Sequence, residues 1–121
     1  MRVLDLASVP RRRVEAHGSK GFDVGALGLT AEAHLVVVRL EAGGVVGRHP
    51  AAGRQLLVVV SGDALVAGSD GVEVRLAPGQ AAVWEPGEEH RTSTVSGLVG
   101  FVVEGDVDLA APGHHVDPGD V

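Results

Sequence analysis

Two imidazoles are the residues best equipped to do chemistry in this chain. His49 and His90 stand 41 positions apart, each in a stretch punctuated by glycine and proline. The first stretch reads Gly44-Val45-Val46-Gly47-Arg48-His49-Pro50, passes Gln55 and closes at Ser61-Gly62. The second starts at Gly79-Gln80, passes Trp84 and ends Glu85-Pro86-Gly87-Glu88-Glu89-His90. A neutral imidazole can ligate a metal, move a proton or orient a polar guest. If both rings reach one place, any of these becomes available. Thiolate chemistry is excluded because the chain has no cysteine. Nothing in it resembles a Ser/His/Asp or Cys/His arrangement, and no phosphate-binding glycine loop opens a helix.

The elements that must carry the histidines read as strands. Twenty-three valines and eighteen glycines dominate the composition, while the aromatic residues are only Phe22, Trp84 and Phe101. Valine is stiff at its first torsion and favours strands; glycine supplies the positive backbone angles of tight turns. Residues 31–41 and 55–60 read as strands. Residues 64–67 and 72–76 form a hairpin through Gly68-Ser69-Asp70-Gly71, since Asp-Gly between apolar runs is a strong turn signal. Residues 80–85, 90–95 and 98–104 continue the pattern, with corners at 77–79, 86–87 and 96–97. No segment has a helical period. Six or seven short strands about ten residues apart predict an all-β sandwich or barrel. Residues 3–9 and 22–29 are read as edge strands or arms.

These segments resemble the cupin family of small double-stranded β-barrels. Gly44, His49, Gln55 and Gly62 fall into the frame of its first motif; Gly79, Pro86, Gly87 and His90 fall into its second, with the proline displaced by one. The resemblance covers residues 34–104 and implies a double-stranded β-helix, or jelly-roll barrel. It also implies a site in which His49, Gln55 and His90 are the candidate metal ligands, and a divalent ion (Fe, Mn, Ni or Zn) as the candidate cofactor. The chain departs from the family pattern at three positions. Ala51 stands where a second histidine is expected, Gln55 where a glutamate is, and Thr94 where an asparagine is. An amide in place of a carboxylate removes an anion from beside a divalent ion, a loss of several kcal/mol at an effective dielectric of about 20. Small cupins pair through N-terminal strands, so the resemblance further implies a homodimer.

Around this centre the sequence offers further candidates. Positions 49, 51 and 55 share parity, so they would face one side if the segment stayed extended. Glu104 or His34 would complete a ligand shell from another strand; His34 is otherwise a polar residue on one strand face. Arg48, Trp84 and Glu104 are the expected pocket residues. Arg48 and Arg54 are placed either to clamp an acidic ligand at the mouth or to pair with carboxylates such as Glu88 and Glu89. Trp84 forms a pocket wall or packs in the core. His114-His115 lie in a Gly-, Pro- and Asp-rich tail.

The whole chain bounds the rest. At 121 residues it suits one domain, burying roughly two-thirds of its unfolded surface. The expected division is an N-terminal arm of strands over 1–30, a barrel over 31–104 and a loose tail over 105–121. A net charge of −6 argues against a nucleic-acid surface, which needs a basic stripe. No apolar run is long enough to span a membrane, and no apolar stretch follows Arg11-Arg12-Arg13 as an export signal requires. The absence of cysteine fits a cytoplasmic protein. Three roles follow: a barrel that binds a small molecule beside a degenerate, metal-occupied or metal-free site; a metal-dependent oxygenase or isomerase using His49 and His90; or an interaction module for another protein.

Overall fold

The computed structural model describes the backbone of residues 1–25 and 29–109, with side chains described for 1–25 and 32–107. Among the described residues there are eleven strands: β1 (Arg2–Asp5), β2 (Arg12–Val14), β3 (Phe22–Val24), β4 (Leu29–Leu40), β5 (Val45–Pro50), β6 (Arg54–Gly62), β7 (Ala64–Ala67), β8 (Glu73–Leu76), β9 (Gln80–Trp84), β10 (Glu89–Ser93) and β11 (Leu98–Leu109). A five-stranded sheet, ordered β1-β9-β6-β11-β4, faces a four-stranded sheet, ordered β5-β10-β7-β8; β2 and β3 form a separate hairpin. Every pairing is antiparallel. The all-β jelly-roll expectation holds, and the Asp70-Gly71 hairpin joins β7 to β8.

The sequence dictates this layering through alternation. Along β6, Leu57 and Val59 face the other sheet, where they meet Ala64, Val66 and Leu76 in a core shared with Ala82, Trp84 and Leu98 of their own sheet. The intervening Leu56 and Val58 point the opposite way and pack with Ala81, Val83, Val103 and Val107, against which Leu4, Leu6 and Phe101 also rest. Opposite faces at successive residues are inherent to a strand. The continuous apolar run at 56–59 is therefore what a central strand covered on both sides requires. Each such side chain contributes roughly 1.5–3 kcal/mol when fully buried.

Two glycine corners hold the strand ends. Gly62 has φ +84°, and a Cβ there would run into the Gly97 carbonyl oxygen. Gly87 has φ +79°. Its N–H donates to Ala51 O at 2.8 Å, and Ala51 N–H donates to Glu88 O at 2.9 Å, which pins the corner before β10 to the end of β5. Glu88 accepts from the Met1 ammonium at 2.8 Å.

The structure departs from the expected boundaries in two ways, at residues 3–9 and along β11. The stretch at 3–9 is split, with β1 ending at Asp5 and Leu6–Ser8 forming a 3-10 turn. β1 pairs with β9 of the same chain. β11 continues to Leu109, with Gly105 opposite Ala33 and Leu109 opposite Leu29. Its partner strand supplies the extra pairing that a composition-based reading of a tail ignores. His114 and His115 lie outside the described residues.

Candidate functional site

β5 and β10 bring the two histidines together. In their ladder the Cα of His90 faces that of His49, so both side chains leave the same face, and the ring centroids are 4.2 Å apart. The register then slips: Thr92 faces Val46, with one more residue on β5 than on β10. This bulge, centred on Gly47, turns Val46 into the barrel beside Thr92 where plain alternation would have turned Gly47 inward. His49 Nδ1 lies 2.7 Å from Gly47 O. A carbonyl only accepts, so Nδ1 carries the proton and Nε2 of the neutral ring presents a lone pair.

The opposite sheet supplies a second row. His34, Glu104, Gln55 and Trp84 are successive register partners across β4, β11, β6 and β9. Gln55 thus reaches the site from a different sheet: β5 stops at Pro50 and β6 starts at Arg54. The extended run expected from 49 to 55 is broken by this sheet-to-sheet crossing, and Ala51 is buried in the core. Gln55 Nε2 donates to Glu104 Oε2 at 3.1 Å. Trp84 is buried, donates from Nε1 to Ala67 O at 3.1 Å, and holds its ring 5.1 Å from that of His90.

Between the rows lies a cavity of about 130 Å³. His49, His90, Gln55 and Thr92 form its polar end; Val38, Val46, Leu57, Trp84, Leu98 and Val102 form the rest. His90 is 4% exposed, and its Nδ1 is buried with no hydrogen-bond partner. Burial, and then the neighbouring His49, lower the His90 pKa from its ordinary 6.5; a hydrogen bond to the Glu88 backbone and the charges of Glu104 and Glu89 pull the other way. The cavity is open on one side. Val36 shares a row with Val102 and Leu57, both lining residues, yet is 50% exposed, and no ladder joins β4 to β5.

Of the residues singled out from sequence, His49, Gln55, His90 and Trp84 line this cavity. Glu104 touches it through Gln55, and His34 stands beside Glu104 at the exposed end of the row. Arg48 turns outward, donating to Ser69 O at 3.1 Å and lying 3.8 Å from Glu89. Arg54 pairs with Glu85 at 2.6 Å. Sequence reasoning missed Thr92 and the valines and leucines of the wall. The spacing of Thr92, two residues after His90, was the available signal.

A cupin-domain family model matches residues 36–104. The chain belongs to the cupin family. Among solved structures, this cupin is similar to a conserved protein of unknown function from Streptococcus pyogenes, with 26% identity, a TM-score of 0.55, and 62% of this chain and 66% of that one covered. It is also similar to an uncharacterized protein with a double-stranded β-helix domain from Klebsiella pneumoniae, with 22% identity, a TM-score of 0.57, and 77% and 88% coverage. A third likeness is to a cupin superfamily protein from Desulfitobacterium hafniense, with 12% identity, a TM-score of 0.57, and 86% and 97% coverage. The last two likenesses concern the fold alone. No curated protein matches the chain.

A resident divalent ion is the cofactor that membership of this family suggests. The donor set here does not fit one held tightly. Two imidazoles meet, Gln55 directs its amide N–H at Glu104, and among the described residues no group of three or more His, Cys, Asp or Glu side chains is placed to hold an ion. Ligand number and geometry set affinity for such ions. Among the described residues no helix is long and apolar enough to cross a membrane.

Proposed function

We propose that this cupin binds a small molecule inside its barrel. One observation carries the reading: a half-open, mainly apolar cavity ends at two touching imidazoles. Apolar walls with few convergent polar groups are the usual form of a ligand site. A fragment screen read by Trp84 emission tests it, because the only tryptophan forms part of the wall. Binders should shift that emission in the wild type and fail to do so in Val102→Phe, which fills the cavity. A screen in which no fragment moves the emission overturns the reading.

The alternative, a metal-dependent enzyme of oxygenase or isomerase type, is favoured by the 4.2 Å approach of the same two rings. Metal analysis of untagged protein decides between them. Stoichiometric metal that disappears in the His49→Ala, His90→Ala double variant supports the enzyme; no uptake from several divalent ions rules it out. The proposal includes a cytoplasmic setting, supported by the absence of cysteine, and pairing of two copies. The pairing is supported by the bare edge of β4, where Leu35 and Val37 are 71% and 77% exposed.

A further inference from the structure

We propose that the guest is an uncharged compound bearing a hydroxyl group on a compact apolar body; this rests on the cavity-binding reading above.

Charge is the first constraint. No lysine or arginine lines the cavity, and the two arginines flanking the motif, Arg48 and Arg54, are engaged with Glu89 and Glu85 outside it. An entering carboxylate or phosphate would lose its water without meeting a fixed cation, and would approach Glu104, one hydrogen bond behind Gln55. A cation fares no better at the polar end. No carboxylate lines the cavity among the described residues, Glu104 standing one hydrogen bond behind Gln55. Stripping an ion of water without a paired counter-charge is among the most expensive steps in recognition.

The hydrogen-bond inventory selects the head group. His49 offers the lone pair of Nε2 once Nδ1–H is tied down. A guest that reaches this lone pair, at the polar end of the cavity, must donate to it. A hydroxyl donates; a ketone only accepts. Apart from Gln55 and Thr92, the remaining wall is aliphatic or indole, so the body of the guest is apolar. Its size follows from the volume, about 130 Å³, close to the roughly 150 Å³ of a dry cavity that admits benzene.

The test uses the intact chain and four probes of matched heavy-atom count: cyclohexanol, cyclohexanone, cyclobutanecarboxylate and cyclohexylammonium. Binding is followed at mildly alkaline pH by Trp84 emission and by the ring resonances of His49 and His90. Cyclohexanol should bind tightest. Both ions should bind at least about tenfold more weakly, the ratio of one good hydrogen bond lost, and the ketone several-fold more weakly. Val102→Phe should abolish all of the responses. If either ion matches or exceeds the alcohol, the neutral-guest inference falls while the cavity-binding reading stands. If the ketone binds as well as the alcohol, the hydroxyl assignment falls. If none of the four probes perturbs Trp84 or either histidine, both fall.

Discussion

His90 shows how much one side chain can decide. Its ring is buried against Trp84 and His49, and both burial and the second imidazole disfavour its charged form. The folded-state pKa therefore lies below the ordinary 6.5, and the unfolded chain binds more protons as pH falls through that window. Stability must decline on acidification below about 6.5 and stop declining once the folded form is also protonated. Urea midpoints measured across this range should show the slope, and His90→Gln should lack it whatever its absolute stability. In His49→Ala, where one depressing influence is gone, His90 should titrate at a higher pH by NMR. Two other single positions matter for packing. Gly62→Ala places a Cβ against the Gly97 carbonyl in a left-handed conformation; a loss of about 1–3 kcal/mol or more in urea unfolding is expected. Trp84→Phe leaves the Ala67 carbonyl without its donor, at a cost of about 1–3 kcal/mol.

At the scale of elements, the turn between β10 and β11 is organised by Asp63, just beyond β6. Its carboxylate accepts from the hydroxyls of Ser96 and Thr94 and from the backbone N–H groups of Val95 and Ser96. The Ser96 hydroxyl above all, then the two backbone donors, hold its pKa far below the ordinary 3.8. A depressed carboxyl stabilises the fold above its unfolded pKa and loses that effect as pH falls toward the folded value. Asp63→Asn should thus unfold at lower urea than the wild type at neutral pH, and the difference should shrink as acid is added below about 4. The same scale explains what could be read from sequence. Turn glycines, the Asp70-Gly71 hairpin and the alternating valines placed most strands of both sheets. β5 was hidden, because Gly47 and Pro50 dilute its pattern and its bulge breaks the alternation. Parity counted from His49 consequently pointed at Ala51 and missed Val46. The meeting of His49 and His90 was legible because each ends a glycine-framed corner. The row from His34 to Trp84 was not, since register across four strands is a property of pairing, which no single segment contains.

At the scale of the whole molecule, a long border is unpaired among the described residues. There β4 is paired with β11 over its full length and with nothing on its other side, and Leu35, Val36 and Val37 are exposed along it. Long, flat, apolar edges invite pairing with another chain. Analytical ultracentrifugation should therefore find dimers of the wild type, and Val37→Lys should shift them to monomers without changing the far-ultraviolet circular dichroism. A monomeric wild type at high concentration would contradict this. The acidic balance of the chain, −6, keeps other encounters weak through like-charge repulsion.

On the proposed reading, a guest enters an unpaired chain through the flank beside β4, where β4 and β5 share no ladder, while the β6-centred lattice of hydrogen bonds stays shut. Deuterium labelling should then find the amides of residues 56–59 locked for as long as the whole domain survives, even while the occupant exchanges. Residence times of such a container can be tuned at Val36, on the exposed flank, without weakening the vessel itself.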